Sequence, residues 1–123
     1  MAIRRNAIEK RNLHVLKQFA QAAISASSEN SGVFPETIDE VRKAGDIAPD
    51  YALRNPTTEE AGFAPLYFTG LTETSDPSNI LFACPFLNSK GKRAVVYVDV
   101  STKSIPEEEY QKQVEKQEKE NAS

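Results

Sequence analysis

Hydrophobic residues in the first quarter of the chain recur at helical spacing. Between Ile3 and about Ser27 there is no glycine or proline, and the apolar side chains follow steps of three or four residues or their multiples. Residues at such spacing lie on one face of a helix. The predicted buried face comprises Ile8, Asn12, Val15, Leu16, Phe19, Ala23 and Ala26, and the opposite face carries His14, Lys17, Gln18, Gln21 and Ser25. We therefore predict a long N-terminal helix whose apolar stripe is well formed from about residue 12 onward.

The charged residues ahead of this stripe predict a projecting helix end. Residues 1–11 contain Arg4, Arg5, Lys10 and Arg11, which leave the few apolar side chains of this segment isolated. A helix without a continuous apolar face has little surface to bury. We expect residues 1–11 to project beyond the core or to fray.

A short second helix is predicted after the loop that ends the first. Thr37 and Glu40 have the spacing of a capping box, in which both side chains accept hydrogen bonds from amides at a helix start. Gly45 offers a stop, because a left-handed residue after a helix costs glycine little. The segment 46–64 then contains prolines, a glycine and acids. Its length is unusual for a compact domain and predicts a packed loop with a role.

Three apolar segments, 66–69, 80–84 and 94–98, predict β strands. The loops between them are too short for parallel crossovers and predict an antiparallel meander. A last short strand is expected at 104–105, and residues 106–123 should form a C-terminal helical tail. The predicted fold class is α+β, with the long N-terminal helix packed on a three- to four-stranded antiparallel sheet in one domain spanning residues 1–123.

Composition excludes several classes of function. The formal net charge is -3, which argues against a nucleic-acid domain built on a basic face. One cysteine and one histidine are too few for a disulfide or a zinc site. The glycines are scattered singly and form no phosphate-binding loop. No segment approaches the ~20 apolar residues of a membrane span.

His14 and Cys84 are the one pair that could act as base and nucleophile. His14 lies on the polar face of the predicted helix, whereas Cys84 ends an apolar strand, where burial would keep the thiol inert. We therefore expect Cys84 to be structural and assign no catalytic residue. A small hydrolase using Cys84 remains a remote alternative.

Loop carboxylates are the only candidate ligands for a hard cation, which prefers oxygen ligands. They are Asp46, Asp50, Glu59, Glu60, Glu73 and Asp76. Because no pair has the regular ligand spacing of a known calcium loop, solvated acids are the favoured interpretation. The residues themselves therefore predict neither a metal nor a cofactor.

Cations are concentrated at the N-terminus, where residues 1–17 carry five cations and one anion. The cluster of Arg4, Arg5, Lys10 and Arg11 could bind acidic lipid headgroups or nucleic acid. It could equally be the solvated flank of a helix, which the lack of interleaved aromatics favours. A third possibility is that it directly follows a membrane-embedded segment.

Several short motifs, in this order, resemble those of type IV pilin-like proteins, in particular pseudopilins of the type II secretion major-subunit kind. NLHVL at 12–16 resembles the Asn-Leu-x-x-(Leu/Ile) of their long first helix, and NSGVFP at 30–35 resembles the loop that precedes their short helix. LFACP at 81–85 resembles a strand that ends in Cys-Pro, and 94–105 resembles a closing hairpin. The turn at Asp99 and Val100 lacks the glycine common in relatives.

The resemblance implies a structural function rather than an enzymatic one. Such subunits are anchored in the inner membrane by the apolar first half of the helix and polymerise through it into a periplasmic or extracellular filament. Their partners are other pilin-like subunits and secretion or pilus assembly proteins, not nucleic acid. Relatives can carry calcium in the loop near the sheet, where Glu73 and Asp76 are the nearest equivalents. Because these acids lack regular spacing, we expect no high-affinity calcium site.

The chain differs from this family at its start. Residues 1–11 are charged, whereas members have a cleavable leader, a Glu near the mature N-terminus and an apolar half-helix. Either the chain begins just after that segment, or it is a relative that does not polymerise by that route. Without the half-helix we expect a monomer, with membrane contact only through the missing segment. The alternative function is cell-surface recognition or adhesion, in which loops 46–64 and 70–79 bind a protein partner.

Overall fold

The computed structural model describes residues 2–48, 51–69, 71–72, 75–88 and 90–121, with side chains described from Asn6 to Glu120 within these ranges. The elements follow one another as α1 (Ala2–Glu29), α2 (Ile38–Ala44), β1 (Leu66–Tyr67), β2 (Ile80–Ala83), β3 (Lys92–Tyr97), β4 (Thr102–Pro106) and α3 (Glu107–Asn121). The predicted α+β class is confirmed, with a long N-terminal helix and four strands.

The four strands form one antiparallel sheet in the order β1-β2-β3-β4, so the predicted meander is confirmed. β4 is longer than the predicted pair of residues, because it pairs with β3 from Thr102, opposite Val96, to Pro106, opposite Lys92. The register of β2 shifts between Ile80 and Phe82. Such a bulge turns two consecutive side chains to one side of the sheet, and Leu81 and Phe82 both pack in the core beneath α1.

The helix α1 covers one face of the sheet with the predicted stripe. Leu16 and Phe19 are fully buried, and the Phe19 ring lies 5.7 Å from that of Phe82. Ile8 is the first buried residue among the described side chains of α1, with 9% exposed. The predicted polar face is exposed at His14, Lys17, Gln21 and Ser25. The two faces of α1 therefore lie largely as the periodicity predicts, but Gln18 and Ala26 are both half-buried, and Ala20 and Ala22 are buried as well.

The helix α3 covers the opposite face of the sheet, which the sequence reasoning did not predict. A second buried cluster lies between α3 and the strands; its members are Ile80, Ala83, Val95, Ile105 and Tyr110. Val114 of α3 packs against the same cluster. The described chain is therefore three layers deep, with the sheet between α1 and α3.

The predicted reason for glycine at position 45 is wrong. Gly45 has φ -94°, and the left-handed residue is Asp46, with φ 52°. The N–H of Ile47 donates to the carbonyl of Arg42 at 2.9 Å, as in a Schellman ending. A Cβ at Gly45 would lie 2.5 Å from the Cβ of Ala22 on α1. Glycine is therefore needed for the close approach of α2 to α1.

The capping box of α2 is present in altered form. The Thr37 hydroxyl accepts from the N–H of Glu40 at 3.2 Å, as predicted. The Glu40 carboxylate accepts from the N–H of Glu36 at 3.2 Å, one residue before the cap. Both side chains therefore satisfy amides near the helix start.

The turn between β3 and β4 places Val100 in the left-handed region, with φ 71°. Its N–H donates to the carbonyl of Tyr97 at 2.8 Å, and the N–H of Tyr97 donates to the carbonyl of Ser101 at 2.9 Å. A β-branched residue is unfavourable in this conformation. Val100 is half-buried against the main core, and this packing offsets part of the strain.

Candidate functional site

The long connection between α2 and β1 is fastened to α1 by Asn12. Asn12 is only 3% exposed, and its Nδ2 donates to the carbonyl of Arg54 at 2.8 Å. Its Oδ1 accepts from the N–H of Arg54 at 3.0 Å. The side-chain amide thus pairs with the loop backbone as a neighbouring strand would. A residue in the predicted apolar stripe is therefore the polar anchor of the loop.

The connection itself is more regular than predicted. Leu53 and Phe63 form an antiparallel bridge in which each N–H donates to the other's carbonyl, at 2.8 and 3.2 Å. Asn55 Oδ1 accepts from the N–H of Thr57 at 2.8 Å and closes the turn above the bridge. The base of this hairpin-like loop is buried at Leu53, and residues 57–62 are exposed at its tip. The loop therefore presents a fixed, polar tip.

The Phe-Pro segment after α1 is tied to the edge strand β1. Phe34 is buried, and the Tyr67 hydroxyl donates to the carbonyl of Pro35 at 2.6 Å. The Tyr67 ring stacks on Phe82 with centroids 4.7 Å apart. Burial, with a smaller contribution from the Glu40 carboxylate, raises the pKa of Tyr67 to about 12. The hydroxyl therefore remains a hydrogen-bond donor across the neutral range.

The candidate nucleophile Cys84 is enclosed and the candidate base His14 is exposed. Burial raises the pKa of the Cys84 thiol to about 12, although the nearby Arg93 charge acts in the opposite direction. A thiol with this pKa is protonated at neutral pH and is a poor nucleophile. The surroundings of Cys84 are therefore those of a structural cysteine.

Of the two calcium candidates, Glu73 lies outside the described residues. Asp76 is exposed, and its Oδ1 accepts from the N–H of Ser78 at 2.9 Å and from the Ser78 hydroxyl at 2.7 Å. These two hydrogen bonds lower the pKa of Asp76. Among the residues with described positions, no three His, Cys, Asp or Glu side chains gather as a metal site would require.

The basic N-terminal end is joined by lysines that are distant in sequence. Lys10 on α1 lines one open groove together with Lys90 of the β2–β3 loop and Lys92, the first residue of β3. Asn88 Oδ1 accepts from the N–H of Lys90 and from that of Lys92, both at 3.0 Å, and fixes the loop. Sequence reasoning missed Lys90 and Lys92, although the Lys-Gly-Lys-Arg run at 90–93 was the available signal.

The predicted N-terminal cation cluster is only partly described. Arg11 lies with its guanidinium carbon 5.4 Å from the centroid of the Tyr51 ring, close enough for a cation–π contact. Arg4 and Arg5 belong to α1, but their side chains are outside the described set. One cation of the cluster is therefore engaged with the long loop, and Lys10 is turned to the groove.

Two further findings bear on function. Within the described ranges, no helix has both the length and the apolar character needed to cross a membrane. Comparison of the chain with protein-family models, curated proteins and solved structures found no match.

Proposed function

We propose that the chain is the globular part of a non-enzymatic structural subunit, or assembly component, of a type IV pilus-like or type II secretion pseudopilus filament. The proposal includes a pilin-like fold. It also includes a place in the cell envelope, facing the periplasm or the exterior, with an inner-membrane anchor ahead of α1. The partners on this proposal are other pilin-like subunits and secretion or pilus assembly proteins.

The observation that carries the proposal is the combination of α1 with the sheet. The helix has 28 residues and is therefore about 42 Å long. One side of α1 is buried on the four-stranded sheet, and the other side exposes a row of polar residues such as His14, Lys17 and Gln21. A sheet carried on one side of a long helix leaves the other side available to neighbouring subunits, which supports the filament proposal.

The residues that carry the resemblance also have identifiable structural tasks. Asn12 fastens the long loop to α1. The carbonyl of Pro35, in the Phe-Pro loop, accepts a hydrogen bond from the Tyr67 hydroxyl. Cys84 directly follows β2 and fills the core beneath α1. Each of these motif residues contacts another element of the same fold, and this supports treating their order as one pattern.

The segment that precedes Ile3 in the natural gene tests the proposal. We expect about 20 consecutive apolar residues there, preceded by a leader-peptidase site, and a membrane-bound product in the natural host. A gene that encodes a different upstream segment, or a product absent from the envelope, would contradict the proposal. We also expect the present chain to sediment as a monomer, whereas a stable, salt-resistant oligomer would place the assembly surface elsewhere.

A recognition or adhesion domain is the second candidate, and the loop at 46–64 favours it. The loop is fixed at its base by Asn12 and exposed at its tip, as expected of a binding loop on a rigid scaffold. Reversing the tip charges with Glu59→Lys and Glu60→Lys separates the two functions. Recognition predicts loss of partner capture, whereas the filament function predicts normal incorporation of the variant.

A further inference from the structure

A polar cavity opens between the second half of α3 and the strand ends beneath it. Its volume is about 340 Å³, which is at the small end of the range for ligand sites. Asn79 precedes β2, Tyr97 ends β3 and Lys103 lies on β4, and these three face Gln113 and Lys116 of α3. The cavity shares no lining residue with the groove at Lys10, Lys90 and Lys92, and it lies apart from the long loop between α2 and β1.

The walls of the cavity are held in place by hydrogen bonds. Gln117 of α3 is buried, and its amide makes two bonds to the backbone of Ile80: Oε1 accepts from the N–H at 2.7 Å, and Nε2 donates to the carbonyl at 2.8 Å. About one helical turn earlier, the Tyr97 hydroxyl lies 3.3 Å from Gln113 Oε1. Because these contacts set the spacing of α3 and the sheet, a ligand would meet a preorganised site.

The side-chain amide of Asn79 is one of the polar groups that line the cavity. The residue is only 6% exposed. Its backbone is bonded, since its N–H donates to the carbonyl of Asp76 and its carbonyl accepts from the N–H of Val98, both at 3.0 Å. Within the described part of the chain, no side chain or backbone group bonds its side-chain amide. Fully enclosed side-chain polar atoms of the described residues all have partners, so the Asn79 amide is open to the cavity.

The Asn79 amide is available to a ligand. Its polar atoms are accessible from the cavity, so it is consistent with the pairing of fully enclosed side-chain polar atoms among the described residues. The Asn79 amide offers two donors and an acceptor to whatever occupies the cavity. The cavity therefore has the polarity of a ligand site as well as the volume of one.

We propose that this cavity binds a neutral sugar unit of a glycan. The amides of Asn79 and Gln113 and the hydroxyl of Tyr97 can each donate and accept hydrogen bonds, and sugar hydroxyls do the same. The rim carries two cations, Lys103 and Lys116, and one anion, Glu120. Lys116 Nζ lies 3.9 Å from Glu120 Oε1, so Lys103 is the single charge in excess, and the neutral hydrogen-bonding side chains that line the cavity outnumber it. This proposal does not depend on the filament proposal.

The test is an NMR titration of the full chain with glucose, galactose and N-acetylglucosamine at millimolar concentrations. We expect shifts concentrated in the side-chain amides of Asn79 and Gln113 and in the backbone of Tyr97. Gln113→Met removes one polar wall and should weaken binding about fivefold, the effect of one lost hydrogen bond. The matched control is Gln111→Met, an exposed position on the same helix that does not line the cavity, and it should leave the affinity unchanged.

Three results would overturn the proposal. The first is the absence of shifts with all three sugars, which would mean that the cavity holds only solvent. The second is equal affinity in the Gln113→Met and Gln111→Met variants. The third is tighter binding of glucuronate than of glucose, which would make charge the determinant. If Gln113→Met fails to fold, Tyr97→Phe retains the ring packed against the second core and removes only the hydroxyl, with the same expected loss.

Discussion

Replacement of Arg93 by alanine should loosen the attachment of α3 to the sheet. The Arg93 guanidinium donates to Glu107 Oε2 through Nη2 at 2.7 Å and through Nε at 3.0 Å. Its Nη1 donates to the carbonyl of Cys84 at 2.7 Å, and its guanidinium carbon lies 4.7 Å from the Tyr110 ring centroid. A single side chain on β3 therefore holds the end of β2 and the first turn of α3.

The expected cost follows from the partial burial of this ion pair. The side chains of Arg93 and Glu107 are 14% and 32% exposed. Exposed pairs contribute about 0 to 1 kcal/mol, whereas removal of one partner from a buried pair costs about 3 to 5 kcal/mol. Arg93→Ala also removes the charged hydrogen bond from Arg93 to the Cys84 carbonyl and its contact with the Tyr110 ring. These two losses place the expected cost above the value for an exposed ion pair. We expect Arg93→Ala to reduce the free energy of unfolding by about 3 kcal/mol, between the limits for exposed and buried pairs.

The assay is urea unfolding followed by far-ultraviolet circular dichroism. Lys112→Ala is the matched control, because Lys112 and Glu108 form an ion pair at 3.5 Å whose side chains are 74% and 84% exposed. Lys112→Ala should lower the free energy of unfolding by no more than about 0.5 kcal/mol. Arg93→Lys keeps the charge but loses the forked geometry and should fall between the two. Equal losses for Arg93→Ala and Lys112→Ala would refute the reasoning.

The same comparison repeated against pH tests the electrostatic part of the prediction. Burial raises the pKa of Glu107, but hydrogen bonds from Arg93 and Gln111 and the Arg93 charge outweigh it, so the net pKa is lowered. A carboxyl with a lower pKa in the folded state contributes stability above its unfolded pKa and loses it as the pH falls through the folded pKa. The advantage of the native chain over Arg93→Ala should therefore shrink below about pH 4.3, the ordinary glutamate value. A difference that stays constant into acid would contradict this cause.

The remaining predictions concern the core and the α1–α2 contact. Phe19→Ala should lower the free energy of unfolding by about 3 to 5 kcal/mol, whereas His14→Ala on the exposed face should change it little. Equal shifts of the thermal midpoint in the two variants would contradict the assigned orientation of α1. Cys84 should react with a thiol reagent only as fast as the chain unfolds, and rapid labelling of the native protein would disprove its burial. Gly45→Ala should destabilise by about 1 to 3 kcal/mol, because its Cβ would meet Ala22 at 2.5 Å; an unchanged urea midpoint would show that the two helices separate freely.

The layer formed by α3 illustrates which parts of the fold can be predicted from the sequence. Its few apolar residues, Tyr110 and Val114, made the segment look like a tail. The strands carried the stronger signal, because β2 is a continuous apolar run and β3 contains Val95 next to Val96. Strands of that kind are buried on both faces and need a cover on each. The second layer was therefore predictable from the sheet rather than from the helix itself.

Other features depend on contacts that no local pattern records. The left-handed Val100 contradicts its own conformational preference and is tolerated because its side chain packs against the core. Gly45 is explained by a neighbour on α1, more than twenty positions away in the chain. The amide of Asn79 becomes notable only when α3 closes over it. Periodicity predicted the elements and the buried face of α1, but these features depend on tertiary contacts between residues far apart in the sequence.

Cross-linking in the natural host tests the filament proposal most directly. His14→Cys places a reactive thiol on the exposed face of α1, and Lys112→Cys places one on exposed α3 as the matched control. The buried Cys84 should not compete for the reagent. If α1 helices pack together in a filament, a short bifunctional thiol reagent should yield a ladder of oligomers from His14→Cys and little from Lys112→Cys. Absence of that ladder, or equal cross-linking at the two positions, would contradict the proposal.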